Sequence, residues 1–220
     1  MGETPIYLCG DLPHDDASAE AQLSEWVNEG ITAIVDVCCE HNDASRVKRL
    51  HPHINYIWNG VDDAGGMQSF DWFDDVVDRV RLHLKNSQAK VVVHCHMGIN
   101  RGPSMAFAIL LALGWEPMAA LDAIRASRPI AGIIYADSAL HWWHAQKGSD
   151  EATLVRDLEQ LFLWQYENDI KGDVPWVISR IRLAEDAAAW PDQARVGSPI
   201  AAIGRNLRYN RKRSTEFSVM

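Results

Sequence analysis

The stretch from residue 90 to 113 constrains this chain more than any other. It opens on Lys90-Val91-Val92-Val93-His94, a β-branched run of strand length, and closes on the apolar run 105–113, which ends at Gly114. A valine run bounded by polar residues predicts a buried strand, and the longer apolar run stopped by glycine predicts a buried helix. The chain must therefore turn from a central strand into a central helix through the short segment from Cys95 to Arg101.

The rest of the first 148 residues repeats the alternation. Strands are predicted at 6–9, 31–37 and 53–58, the first of them at a sheet edge. Helices are predicted at 17–28, closed by Gly30, and from Phe70 to Leu84, capped by Ser69 and led by Asp71, Asp74 and Asp75. Two more follow at 117–127, opened by Pro117, and at 135–146. Residues 59–68 are polar and glycine-rich and read as a loop. Strands alternating with helices imply an α/β fold with a mostly parallel central sheet flanked by helices.

After Gly148 the pattern changes. Leu154, Val155, Leu158, Leu161 and Phe162 mark an amphipathic helix, and a second is predicted from 174 to about 190. The expected organisation is a main domain at 1–148, a C-terminal helical appendage at 149–190, and an irregular, basic, flexible tail at 191–220.

No apolar stretch approaches the roughly 20 residues that span a bilayer, so no membrane insertion is expected. The first residues lack a signal-peptide pattern and the last lack a prenylation cysteine. Cys9, Cys38, Cys39 and Cys95 include no Cys-x-x-Cys pair and read as reduced thiols, which implies a cytoplasmic protein. The net charge of −9 falls on the first 150 residues, while Arg205, Arg208, Arg211, Lys212 and Arg213 make the end locally basic. An acidic main domain argues against nucleic acid as the main partner. His41, His51 and His53 lack supporting ligands at a recognisable spacing, so no metal and no cofactor are expected.

The Cys95–Arg101 segment carries the chemistry. A strand, a tight loop and a helix N-terminus together cradle a phosphate with backbone N–H groups. Gly98 permits the turn that aims those groups inward. Arg101 offers a fork of donors matching two phosphoryl oxygens. A sulfur at the start of the loop should be a nucleophile, its pKa lowered by the helix dipole and Arg101.

His94-Cys95-His96-Met97-Gly98-Ile99-Asn100-Arg101 resembles the signature loop of the protein tyrosine phosphatase superfamily, and its surroundings resemble the dual-specificity branch. The opening strand Ile6-Tyr7-Leu8-Cys9-Gly10-Asp11-Leu12, the Gly30-Ile31-Thr32 strand and Arg125-Ala126-Ser127-Arg128-Pro129-Ile130 carry further likeness, over about residues 5–147. The resemblance implies in-line attack by Cys95, a phosphocysteine intermediate, and a transferring phosphoryl group held by Arg101 and by the loop residues His96, Met97, Gly98, Ile99 and Asn100. It also implies a carboxylic acid that protonates the leaving oxygen. Asp63, 32 residues before Cys95, stands at that place, with Asp62 as the alternative. His94, Asp62 and Ser104 would support the site.

Three departures matter. Gly102 replaces the Ser or Thr whose hydroxyl helps the sulfur leave in the second step, so slow phosphoenzyme hydrolysis is expected unless Asn100 or Ser104 supplies the group. The Gly98-Ile99-Asn100-Arg101 run is similar to RNA 5′-triphosphatase members of the superfamily, and lipid phosphatases carry a loop lysine that is absent here. Cys38 or Cys39 could form a reversible disulfide with Cys95, as in some relatives. The expected substrate is a phosphorylated protein or peptide, carrying phosphotyrosine first and phosphoserine or phosphothreonine second. A phosphoinositide or RNA 5′-phosphate phosphatase and a phosphate-binding pseudophosphatase stay open. The oligomeric state is not legible.

Overall fold

The computed structural model describes residues 4–170 together with 174, 175, 178–180, 182 and 183. Four strands form one sheet: β1 (Ile6–Cys9), β2 (Ala33–Cys38), β3 (Asn55–Val61) and β4 (Val91–His94). They lie in the order β1-β4-β2-β3, all parallel, with β1 at the expected edge. β2 and β4 are buried along their whole length, as parallel strands covered on both faces should be. Their register pairs Ala33 with Val91 and Asp36 with His94, so the strand that carries the signature loop ends level with Asp36.

Period-two alternation sends Ile34 and Val92 to one face of the sheet. There they pack with Ala19 and Leu23 of α1 (Asp16–Asn28) and Val47 of α2 (Ala44–Leu50). A second core is built around α4 (Arg101–Ala112), which packs on β4, β1 and β2 and is buried from Arg101 to Leu111. A helix apolar all round must sit centrally, and this one does. α3 (Phe70–His83) and α5 (Pro117–Ser127) pack on it, as does α6 (Ala136–Lys147). α7 (Glu151–Glu167) packs on α5 and α6. It is pinned by a buried His144–Asp157 contact of 3.0 Å and by Trp164 Nε1 donating to Asp122 at 2.8 Å. This compact unit ends at Val174.

The cap of α3 is as expected: Ser69 accepts from the Trp72 N–H at 3.3 Å. Pro117 stands at the start of α5, and Gly30, with φ of +86°, follows α1.

Four details differ. β3 continues through Asn59-Gly60-Val61, which the glycine and asparagine marked as loop. Gly60 is there because a Cβ would come within 2.1 Å of the Cys38 carbonyl oxygen, a close strand approach rather than a turn. α2 was not expected, since Val47 is its single buried residue and leaves no periodic signal. Phe70 is exposed at the start of α3. α7 buries Asp157, Leu161 and Trp164, while Val155 and Phe162 of the expected apolar stripe are exposed. The second appendage helix at 174–190 falls mostly, and the basic tail at 191–220 entirely, outside the described residues.

Candidate active site

β4 delivers Cys95 to the mouth of the sheet, and α4 begins six residues later at Arg101. The loop between them needs its glycine. Gly98 has φ of +62°, and a Cβ there would meet the Cys9 carbonyl oxygen at 2.4 Å and Arg128 Nη2 at 2.6 Å. Arg128 holds the outside of the turn, donating from Nε to the Gly98 carbonyl and from Nη2 to the Met97 carbonyl at 2.9 Å. With those carbonyls engaged outward, the loop N–H groups are free to face the sulfur, and those of Gly98 and Gly102 hydrogen-bond to Cys95. Arg125, from the same arginine-rich stretch, ties the Ala131 and Asn168 carbonyls instead.

Arg101 is almost fully buried, with a side-chain exposure of 3%. Its Nη1 and Nη2 each donate to one oxygen of Glu40 at 2.7 Å, and Nη1 also reaches the Val61 carbonyl at 2.9 Å. Burial is the largest influence and works against the guanidinium's charge, but the Glu40 hydrogen bonds together with the charges of Cys95, Glu40 and Asp63 outweigh it and keep its pKa raised. In return they hold the Glu40 carboxyl at about 2.

Asp63 approaches the same arginine, its Oδ2 lying 3.5 Å from Arg101 Nε. Two donors fix its other oxygen: Asn100 Nδ2 and Tyr135 Oη, both at 2.7 Å. Burial and the Asp63 hydrogen bond push the Tyr135 hydroxyl up to about 12, so it stays a donor across the neutral range. Asn100 is itself clamped, its Oδ1 accepting from Ile134 N at 2.8 Å and from Ser104 Oγ at 3.1 Å. Ser104 Oγ also accepts from Tyr135 N at 3.2 Å. Its hydroxyl is therefore spent on Asn100 and Tyr135. Asp62 is exposed, and its charge acts on Cys39.

The sulfur's environment departs from the sequence expectation. Burial pushes the Cys95 thiol above its ordinary value. The Gly102 N–H, Arg101 and the Gly98 N–H pull it back without cancelling that rise. The expected lowering left out the cost of burying the thiolate, to which the charge of Asp63 adds. Burial likewise pushes Cys38 and Cys9 up. Cys39 is exposed, with its sulfur 3.7 Å from Arg101 Nη1.

Of the remaining loop residues, His96 and Met97 are partly exposed, whereas the Ile99 and Asn100 side chains are buried and offer only backbone to the cradle. His94 is wholly buried between Asp11, 3.7 Å from its Nδ1, and Asp36, 3.9 Å from its Nε2. Burial raises the Asp36 carboxyl, opposed by His94 and by the short Tyr56 hydroxyl hydrogen bond to it. His51 and His53 pack on each other, while His41 groups with Asp11 and His96. Glu40, Tyr135 and the exact role of Arg128 carried no local sequence signal. Gly102 fits tightly: a Cβ there would stand 3.1 Å from the His94 carbonyl carbon and 3.2 Å from Cys95 N.

Comparison with known proteins shows the family and the fold. The family "Dual specificity phosphatase, catalytic domain" matches residues 15–136. The chain belongs to that family, whose members hydrolyse phosphate esters. It is 24% identical over 150 residues to dual specificity protein phosphatase 18 of Pongo abelii, covering 66% of this chain and 76% of that protein. It is 30% identical over 82 residues to dual specificity protein phosphatase 1-A of Xenopus laevis, spanning 37% of this chain but only 21% of the relative's length. Among solved structures, human DUSP28 superposes with a TM-score of 0.53 at 15% identity, over 66% of this chain and 94% of that one. PTPMT1 in complex with PI(5)P gives 0.53 at 17% identity over the same shares. DUSP15 gives 0.52 at 21% identity, over 71% of this chain and 91% of that one. These likenesses show the fold. Among the described residues no helix is long and apolar enough to cross a membrane.

Proposed function

We propose that this chain hydrolyses phosphate monoesters on proteins through a phosphocysteine, with Cys95 as nucleophile, Arg101 and the 96–101 backbone as the phosphoryl cradle, and Asp63 as general acid. The observation that carries the reading is the convergence on one arginine. Asp63 Oδ2 lies 3.5 Å from Arg101 Nε, and the two residues hydrogen-bonded to its other oxygen, Asn100 and Tyr135, belong to the loop and to the chain beside it. Cys95 lies within the same pocket of charge, with Asp63 among the groups acting on its thiol.

In the first step the sulfur attacks phosphorus as the P–O bond breaks and Asp63 gives its proton to the leaving oxygen. In the second, water attacks phosphorus, Asp63 takes a proton from it, and the sulfur leaves. The second step lacks help. Gly102 has no hydroxyl, Ser104 is bonded elsewhere, and Asn100 is committed to Asp63 and Ile134. Phosphoenzyme hydrolysis is therefore the slow step.

Phosphotyrosine is the preferred ester, with phosphoserine and phosphothreonine second. A phosphoinositide substrate is favoured only by the fold likeness to a protein solved with PI(5)P, and loop positions 96, 97, 99 and 100 hold no lysine. The four free cysteines fit a reducing, cytoplasmic setting. Hydrolysis of a chromogenic aryl phosphate by wild type, lost in Cys95→Ser, tests the reading. A panel of phosphopeptides, phosphoinositides and triphosphate RNA ranks the substrates. Tight phosphopeptide binding without turnover would make the chain a pseudophosphatase instead.

A further inference from the structure

Beside the phosphate cradle, three side chains from three different loops converge on one point. Asp11 follows β1, His41 follows β2, and His96 is the second residue of the signature loop. Asp11 Oδ2 lies 3.8 Å from His96 Nδ1 and 4.0 Å from His41 Nε2, and the three donor atoms all fall within 4.8 Å of one another.

These separations are too long for hydrogen bonds. They are slightly longer than the roughly 3.3–3.6 Å between donor atoms held about 2.0–2.2 Å from a tetrahedral zinc ion. Closing the two Asp11 separations by about 0.2–0.7 Å would bring them to that spacing, and the exposed His41 would swing toward His96 to close the third, which is at most 4.8 Å. Asp11 supplies an independent sign that something is wanted there. Its side chain is only 9% exposed, its Oδ1 is satisfied by the Leu12 N–H at 2.9 Å, and its Oδ2 is buried without a hydrogen-bond partner among the described residues. A buried carboxylate oxygen left unbonded is costly, and a cation between the two imidazoles would satisfy it. His41 is 42% exposed, so the position has an entry path and one ligand able to move. Asp11, Cys38 and His94 form a second trio, but both Cys38 and His94 are fully buried and offer no such path.

We propose that Asp11, His41 and His96 form a binding site for a divalent late transition metal, zinc being the ion that fits best. Two imidazoles and a carboxylate suit zinc rather than magnesium or calcium, which prefer all-oxygen shells. Three protein ligands leave the fourth position to water. The bound ion would fasten the β1–α1 and β2–α2 connections to the signature loop. His41 is bonded in sequence to Glu40, the arginine's partner, so the ion would also fix the segment that holds Arg101.

The test is zinc binding by full-length protein, read by competition with a chromophoric chelator and by thermal melting with and without ZnCl2. Because zinc also binds thiolates, Cys95→Ser serves as a parallel arm. Wild type and Cys95→Ser should bind one zinc and melt at a higher temperature with it. His41→Ala should weaken binding by about 100-fold or more and lose the shift in melting temperature. Asp11→Asn should do the same, and His53→Ala, remote from the cluster, should do neither. Because His41 is exposed, its variant should fold, and an unchanged melting temperature without metal would confirm that. Magnesium should give no shift. Binding that survives His41→Ala, binding that disappears in Cys95→Ser, or no binding by wild type at micromolar zinc would each overturn the proposal. The last would leave the trio as an ion pair between Asp11 and a protonated histidine.

Discussion

Glu40 accepts a hydrogen bond from each Nη of Arg101, both at 2.7 Å, so the arginine of the signature loop is held by a carboxylate just past the end of β2. The pairing does two opposed things. It fixes the guanidinium in place, and it takes up charge that would otherwise act on Cys95.

Replacing that carboxylate separates the two effects. Glu40→Gln should lower kcat/KM by roughly 10- to 100-fold, the scale of loss when a catalytic group is misplaced by about an ångström. The same variant should make Cys95 more acidic, because Arg101's charge is no longer shared. Iodoacetamide inactivation against pH reads this directly. In wild type the rate should climb with no inflection below the ordinary thiol value of about 8.5, and in Glu40→Gln the curve should move to lower pH. A wild-type plateau at neutral pH would mean that the cradle outweighs burial.

Glu40 also predicts an acid limb of stability. Its folded pKa of about 2 lies below the ordinary value of 4.5, so the unfolded chain binds its proton first. The contribution is fully present above about 4.5 and is lost as pH falls toward 2, so stability rises with pH across that window. Glu40 is 37% exposed, so solvent screens the pair and the gain is modest. Urea unfolding from pH 2.5 to 6 should show a shallower slope in Glu40→Gln than in wild type.

Asp63→Asn should lower kcat/KM, which reports the first step, by about 10²- to 10⁴-fold on substrates with poor leaving groups and far less on an activated aryl phosphate, since only the former need the proton there. Tyr135→Phe keeps the carboxyl but removes one of its two anchors, and should cost less than Asp63→Asn on the same substrates. Asp62→Asn should leave kcat/KM within a few-fold of wild type. An equal loss in Asp62→Asn would move the acid to the neighbouring position.

Slow release predicts a burst. Rapid mixing with p-nitrophenyl phosphate should yield about one equivalent of nitrophenol per site before the steady state. Gly102→Ser should raise the steady-state rate if the loop can yield the few tenths of an ångström that its Cβ requires next to His94 and Cys95. Gly102→Ala, with the same Cβ and no hydroxyl, isolates the steric cost.

The parts of this site that could be read from sequence are those with a local signature. The valine run 91–93 placed β4, the apolar run 105–113 placed α4, and the residues between them could only be a turn at a helix N-terminus. Asp63 was reachable because it stands at a fixed place relative to the family's motif. Its anchors were not. Tyr135 meets Asp63 across 72 residues and Glu40 meets Arg101 across 61, and no local periodicity records such a contact. Tyr135 read as the start of a helix, and Glu40 was not singled out. Gly60 misled in the other direction, because a glycine required by close strand approach looks the same in sequence as one in a loop. α2 was missed because a seven-residue helix with one buried side chain has too few turns to show a period.

The central claim is that Cys95 carries the phosphoryl group. Rapid quenching of the full-length protein with ³²P-labelled phosphotyrosyl peptide, followed by peptide mapping, tests it most directly. The account predicts label on the peptide containing Cys95, close to one per site in wild type because release is slow, and none in Cys95→Ser. Label on another residue, or turnover that persists in Cys95→Ser, would contradict it.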